Sequence, residues 1–237
     1  MSINDLGELG RLWNGSFNSE SVDEEKIQEL HDYINTLYRS EAKHALYTPI
    51  VFDNQVLYEG NRKHEDQFRF DYIDVKDKTV VDLGCNNGYS SFIFAEKGAK
   101  KVLGIEKEPT IAKVAELVAN VKNLPNVGFY QGMYQDYFRE NSEEEFDIAV
   151  FTSETDYVGV CHVLDGFVGY QNYKIKAKTW YIEPINHEYG EYKEPSLIVE
   201  WGLKELSKYG DVEFLTHTDY QNRGLFKLEI KDELYYK

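Results

Sequence analysis

A chain of 237 residues with 42 acidic against 26 basic side chains carries a formal charge of -16, which disfavours a nucleic-acid partner because phosphate-backbone binding relies on clustered Lys and Arg. The length suits one sizeable α/β domain with an N-terminal extension, and no apolar run approaches the roughly 20 residues needed to cross a bilayer. Two cysteines, Cys85 and Cys161, make no disulfide framework, and Met1-Ser-Ile-Asn-Asp5 lacks the basic flank and apolar core of a secretion signal, so a reduced, cytoplasmic protein is expected.

The predicted elements begin at Ser21. From there to Tyr38 apolar positions recur every three or four residues (Ile27, Leu30, Tyr33 or Ile34, Leu37), which predicts an amphipathic helix. Ser21 with Glu24 reads as a capping box, and the acidic first turn suits the helix dipole. The stretch before it, including Trp13-Asn-Gly-Ser-Phe17, has no clear period. Residues 47 to 68 mix turn signals with isolated apolar pairs, and read as irregular chain or a short hairpin leading into the sheet. Thr79-Val-Val-Asp-Leu83 is β-branched and apolar, as a buried strand requires. It breaks into Gly84-Cys-Asn-Asn-Gly88, and a helix follows over about 89 to 98.

Alternation then continues through a strand at 101 to 106, a helix at 109 to 121, a strand at 127 to 130, a short helix at 133 to 139 and a strand at 146 to 152. Such alternation implies a parallel sheet with helices on both faces. Later strands fall at 178 to 183, 211 to 217 and 224 to 230. Only Tyr220-Gln-Asn-Arg223 links the last two, too little for a crossover helix, so that pair must be antiparallel.

The turn after the first core strand carries the chemistry. A dinucleotide site would show G-x-G-x-x-G, with the second glycine admitting a pyrophosphate to the helix N-terminus. Asn86 stands in that place; it tolerates positive φ, but its side chain crowds the diphosphate position. Asp82 would repel phosphate and suits a ligand bearing an ammonium or sulfonium group. Both departures point to S-adenosylmethionine rather than to a nicotinamide dinucleotide.

Val80-Val-Asp-Leu-Gly-Cys-Asn-Asn-Gly88 resembles the first motif of class I S-adenosylmethionine-dependent methyltransferases. Lys101-Val-Leu-Gly-Ile-Glu106 ends in a carboxylate about two dozen positions beyond Asp82, near the spacing expected for a grip on ribose hydroxyls. The adenine contact of the family would fall on Gly132 and Met133, and Phe146-Asp-Ile-Ala-Val-Phe-Thr152 resembles the strand that brings the substrate side of the cleft to the sulfonium. The resemblance implies a Rossmann-like, seven-stranded, mostly parallel sheet of order 3-2-1-4-5-7-6 with the last strand antiparallel. It implies S-adenosylmethionine as cofactor and S-adenosylhomocysteine (SAH) as product. The expected cofactor residues are Asp82, Gly84, Cys85, Asn86, Gly88, Tyr89, Glu106, Lys107, Gly132, Met133, Ser153 and Arg69, with Cys85 as a small buried filler rather than a nucleophile.

Ligands in open α/β sheets lie beyond the carboxyl ends of the strands, which selects Ser153-Glu-Thr-Asp156 and Glu183-Pro-Ile-Asn-His187. His187 is the first candidate base, because imidazole titrates near the working pH. Glu154 and Asp156 follow as groups that position the acceptor or bind its cationic part. A metal held by these three has no diagnostic spacing, and none is expected. Residues 1–68 read as an N-terminal helical extension or lid, with Tyr47, Tyr58, Arg62 and Arg69 placed to cover the cofactor, and 69–237 as the methyltransferase domain. The expected activity is methyl transfer to an oxygen or nitrogen of a small metabolite or sugar. The competing readings are a nucleic-acid (tRNA) methyltransferase and a non-catalytic S-adenosylmethionine-binding module. The partner is then a small-molecule substrate, with no membrane, and a homodimer is left open.

Overall fold

The computed structural model describes residues 23–38, 46–52, 55–58, 60, 65–168, 171–185, 187–188, 191–192, 194–218 and 223–235. Helix α1 (Glu24–Tyr38) buries Ile27, Leu30, Ile34 and Leu37, the positions its period marks. The first N–H groups of a helix need outside acceptors, and Asp23 Oδ1 accepts from Glu25 N at 3.1 Å. Ser21, the expected cap, lies outside the described residues. Strands β1 (Ile50–Phe52) and β2 (Gln55–Tyr58) form an antiparallel hairpin that makes its own two-stranded sheet rather than joining the main one. A 3-10 helix, Glu65–Tyr72, leads into the core.

The core alternates as its hydrophobic pattern requires: β3 (Thr79–Leu83), α2 (Tyr89–Glu96), β4 (Lys101–Glu106), α3 (Pro109–Lys122), β5 (Val127–Gln131), α4 (Tyr134–Glu140) and β6 (Glu145–Thr152). Helix α5 (Tyr157–Leu164) and the short strands β7 (Phe167–Val168) and β8 (Gln171–Asn172) follow. Beyond them come β9 (Lys176–Glu183), β10 (His187–Glu188), β11 (Glu191–Tyr192), α6 (Pro195–Leu206), β12 (Gly210–His217), β13 (Gly224–Ile230) and α7 (Asp232–Tyr235). The main sheet has seven strands in the order β12-β13-β9-β6-β3-β4-β5. Numbered along the chain and read from β5, that is 3-2-1-4-5-7-6. Only β13 runs against its neighbours, pairing antiparallel with β9 and β12 while the other ladders are parallel.

Helices α5 and α6 are absent from the reading of the sequence. Tyr157-Val-Gly-Val-Cys-His-Val-Leu164 is apolar almost all round and so shows no face, whereas α6 does carry a start signal, Pro195 in its first turn.

Successive strand residues face opposite sides of the sheet. Val81, Leu83, Ala149, Phe151, Trp180, Ile182 and Phe226 pack toward Phe138 of α4, Val160 of α5 and Ile198 of α6. Val80, Val102, Ile148, Val150, Tyr181 and Leu225 pack toward Phe94 of α2 and Phe70 of the 3-10 helix. A separate cluster joins the apolar stripe of α1 and the hairpin side chains Ile50, Phe52 and Tyr58 to Phe92 of α2 and Val118 of α3. Tyr58 is buried here, its hydroxyl donating to Leu46 O at 3.0 Å; Arg62 lies outside the described residues. No helix among those described is long and apolar enough to cross a membrane.

At the base of the sheet Asp147 ties β6 to β3. Its Oδ2 accepts from Thr79 N at 2.7 Å and Thr79 Oγ1 at 3.0 Å. The Thr79 backbone N–H, ahead of its hydroxyl, holds the carboxyl below the ordinary Asp value. A carboxyl lowered on folding stabilises fully above its unfolded value of about 3.9, and that contribution disappears as pH falls through the lower folded value. Urea titration of Asp147→Asn is therefore expected to show a stability loss that is constant from about pH 7 to 5 and shrinks below about pH 4. An equal loss at every pH would assign the effect to packing instead.

Candidate cofactor site

The turn after β3 places three residues in the left-handed region, Gly84 at φ 73, Asn86 at φ 52 and Gly88 at φ 83. Two of them have no room for a side chain. A Cβ on Gly84 would stand 2.5 Å from Glu154 Oε2, and one on Gly88 would stand 2.7 Å from the Phe129 ring. Gly84 N and Cys85 N both donate to Ile105 O, at 2.9 and 3.0 Å, which seats the turn on the end of β4. Asn86 is the residue type other than glycine that bears this conformation at modest cost.

Each carboxylate around the turn has a distinct task. Asp82 is buried, and its Oδ2 accepts from Ser90 Oγ and Ser91 Oγ, both at 2.6 Å, so it anchors the first turn of α2. Burial pushes its carboxyl up, against the two hydroxyls and the Arg69 charge, which favour ionisation. Glu106 accepts from Asn86 N at 2.9 Å on Oε2 and from Glu108 N at 2.8 Å on Oε1. Two backbone donors thereby fix its plane, and each oxygen keeps a further acceptor site.

A cleft of about 230 Å³ opens at the carboxyl ends of β3 and β4 and brings together Gly84, Glu106, Lys107, Gly132, Met133 and Glu154. Glu154 stands 3.6 Å from Lys107 Nζ. Its carboxyl is raised by burial, with Lys107 opposing and Glu106 adding to the shift. Tyr134 and Thr155, which the sequence did not single out, also line this space. Burial, with the Glu154 charge behind it, pushes the Tyr134 hydroxyl up to about 12, so it is a neutral donor at physiological pH. A larger cavity of about 360 Å³ lies between the hairpin and helices α2 and α3, lined by Ile50, Phe92 and Val118 among others. It is away from the strand ends where ligands of such sheets bind, so the smaller cleft is the candidate cofactor site.

The remaining predicted residues are not among those lining this cleft, and Tyr89 lines the larger cavity instead. Cys85 is buried with Sγ 3.7 Å from Asn86 O, and burial with the Asp82 and Glu106 charges pushes its thiol well up. Tyr89 is buried at the start of α2, its N donating to Asn87 Oδ1 at 3.3 Å. Ser153 adopts φ 62 beyond β6. Its N donates to Glu183 O at 2.8 Å and its Oγ to Glu183 Oε1 at 2.9 Å, while Arg223 Nη1 donates to that Oγ at 2.8 Å. Arg69 is fully buried with Nε 3.1 Å from Glu183 Oε2, and its guanidinium sits over the Phe70 ring. Its Nη1 has no hydrogen-bond partner among the described residues. Asp156 Oδ1 accepts from Gly159 N at 2.9 Å and caps α5. His187 begins β10, paired with Tyr192; its side chain lies outside the described part of the structure.

Glu183 and Arg223 were missed as partners of Ser153, although a carboxylate closing the otherwise apolar run Trp180-Tyr-Ile-Glu183 was a signal. The test of cofactor fit rests on the cradle itself. Gly84 puts bare backbone beside the Glu154 carboxylate, and the oriented carboxylate of Glu106 lines the same space.

Residues 74–166 match a family profile described as a methyltransferase domain. Over 79 residues the chain is 37% identical to a Methanocaldococcus jannaschii protein named as a protein N5-glutamine methyltransferase, covering 33% of this chain and 38% of that one. Over 74 residues it is 31% identical to the tRNA U34 carboxymethyltransferase of Helicobacter pylori, covering 31% and 28%. Among solved structures, the bifunctional kinase-methyltransferase WbdD superposes with a TM-score of 0.58 at 18% identity, over 83% of this chain and 46% of that chain. The N-terminal domain of EvdMO1 with SAH bound gives 0.56 at 13% identity, over 88% and 98%. The chain thus spans well under half of the curated relatives it matches here and a little under half of WbdD. The segment that builds the cleft is a methyltransferase domain, with the fold and cofactor motifs of the class I, S-adenosylmethionine-dependent enzymes.

Two variants test this geometry. Gly84→Ala is expected to weaken SAH binding at least tenfold in calorimetry, because the new methyl meets both an unfavourable φ and the Glu154 carboxylate; unchanged affinity would move the site elsewhere. Glu154→Gln should raise the melting temperature of the ligand-free protein at pH 7. A carboxyl raised on folding penalises the charged state, so the gain should vanish as pH falls into the carboxyl range, where Glu154 is already protonated. A gain that is the same at low pH would contradict that cause.

Proposed function

We propose that this protein transfers a methyl group from S-adenosylmethionine to an oxygen or nitrogen of a small metabolite or sugar. The observation that carries this reading is the cleft at the strand ends, which is lined by the carboxylates of Glu106 and Glu154 and by a single ammonium, Lys107, beside Glu154. That sign of charge suits a ligand with hydroxyls at one end and a cation at the other, and repels a diphosphate. The net charge of -16 counts in the same way against a nucleic-acid acceptor. The named relatives are described as acting on a protein and on a tRNA, but their likeness covers only 33% and 31% of this chain, so their acceptors are not carried over. Residues 1–68 are read as an extension packed on a domain formed by 69–237, working in the reducing cytoplasm that two free cysteines suit.

Bound S-adenosylmethionine would supply an electrophilic methyl group on a sulfonium. Glu106 would accept the ribose hydroxyls on the oxygen sites that Asn86 N and Glu108 N leave open, and Gly132 with Met133 would border the base. Glu154, placed beside Gly84, would meet the cationic end of the cofactor. Arg69 Nη1 would be left to pair with a carboxylate. Alignment and exclusion of water then lower the barrier, and a base is needed only if the acceptor must lose a proton. His187 keeps that role in this reading, since the Asp156 oxygen that caps α5 is already engaged.

Calorimetry with S-adenosylmethionine, SAH and NAD should show binding of the first two only, and Glu106→Ala should weaken SAH by about tenfold or more, the effect of losing hydrogen bonds to a charged group. Binding of NAD alone would sink the cofactor assignment. A screen of metabolite and sugar-nucleotide pools for methyl incorporation from labelled cofactor should reveal an acceptor, and incorporation into tRNA alone would overturn the small-molecule reading. With the acceptor in hand, His187→Ala should abolish the acidic limb of the rate profile; an unchanged profile removes His187 as base.

A further inference from the structure

The hairpin ahead of the core does more than cover apolar surface. Thr48, buried at the entry to β1, is bonded to the cofactor turn on both its backbone and its side chain. Its carbonyl accepts from Asn87 Nδ2 at 2.9 Å. Its hydroxyl lies within reach of Asn86 Oδ1 at 3.2 Å and closer still to Asn87 Oδ1, and serves one of them at a time because it has a single proton. Asn87, also buried, uses the same Oδ1 to accept from Tyr89 N at the start of α2. Asn86 in turn donates its N–H to Glu106 Oε2. A continuous set of bonds therefore runs from the hairpin through both asparagines to the carboxylate on the edge of the cleft.

The hairpin is itself held firmly enough to act as an anchor. Ile50, Phe52 and Tyr58 are buried against Phe92 and Val118. Gly60, at φ 64, lets the chain after β2 return against Thr48, since a Cβ there would stand 2.8 Å from Thr48 O. The turn it grips has the greater need of support, because Asn86 is held in a left-handed conformation that an isolated loop populates poorly.

We propose that Thr48 is a positioning residue for cofactor binding: its hydroxyl and carbonyl clamp Asn86 and Asn87, and so preset the turn and the Glu106 carboxylate for an adenosyl ligand. The proposal rests on the cofactor reading above and adds to it a residue outside the matched domain segment. Thr48 touches no ligand in this account; it acts through the two asparagines.

Calorimetry with S-adenosylmethionine and with SAH on the full chain and on Thr48→Val and Thr48→Ser tests it. Thr48→Val keeps the shape and removes the hydroxyl, and is expected to raise both dissociation constants by about 5- to 20-fold, the usual range for stranding a buried polar group. Thr48→Ser restores the hydroxyl and should bind within about twofold of the parent. A Thr48→Val variant that binds like the parent overturns the proposal, and so does a Thr48→Ser variant as weak as Thr48→Val, which would point to shape rather than the hydrogen bond. If Thr48→Val fails to fold, amide exchange on the parent decides: residues 50 to 58 should exchange more slowly when SAH is added, and no change overturns the coupling. Failure of the parent to bind either compound would count against the cofactor reading itself, whereas a binding parent with an unaffected Thr48→Val counts against the clamp alone.

Discussion

One buried carboxylate, Glu183, holds the carboxyl edge of the sheet together. It closes β9 and faces Arg69 from the 3-10 helix, Arg223 at the start of β13, and Ser153 beyond β6. Three separate stretches of chain therefore converge on one side chain with no exposure of its own. Removing a partner from such a buried pair costs about 3–5 kcal/mol, because the charge left behind has neither water nor a counter-ion. The Ser153 backbone, at φ 62, is a conformation that a non-glycine residue keeps only when its surroundings over-determine it, and bonds to both the carbonyl and the carboxylate of Glu183 supply that constraint. The next residue is Glu154. The position of a charged group in the cofactor cleft thus follows from an ion-pair network beneath it.

The cleft carries the opposite balance. Asp82, Glu106 and Glu154 crowd the ends of β3, β4 and β6, with Lys107 and the deeper Arg69 as nearby cations. Burial raises Asp82 and Glu154, which is an unfavourable electrostatic state for the empty protein. Ligands with positive charge relieve it, so stability and affinity pull in opposite directions at Glu154. A carboxylate raised by burial in a cleft, as Glu154 is, marks a functional-site candidate.

Much of this architecture was legible in the chain because its signals are local. The β-branched runs at 79 to 83 and 101 to 106, the glycines at 84 and 88 and the four-residue link before Gly224 each state their geometry within a few positions. They lead to the observed alternation and to the antiparallel β13, while the strand order came from the family resemblance that the turn and Glu106 carry. Glu106, Gly132 and Met133 reach the same cleft as Gly84 because parallel strands of one sheet end on one side. Asp156 was read as a group for the acceptor, yet one of its oxygens caps α5, since an Asp ahead of an unseen helix looks the same as an Asp in an open loop. Arg69 was placed in a lid and is found at 2% exposure against Glu183, 114 positions away by sequence number.

The sequence by itself determined the alternation of core strands and helices, the antiparallel final pair, the glycine-bearing turn after the first core strand, and a cofactor class favoured by Asn86 and Asp82. These depend on backbone preferences and on charges a few residues apart, which short windows of sequence contain. Only the tertiary structure decided that Glu154 faces Gly84, that Glu183 gathers two arginines and Ser153, and that Thr48 grips both asparagines of the turn. Those contacts join residues 30 to 114 positions apart, and their partners are chosen by how the hairpin, helices and sheet pack, a choice that no local pattern records.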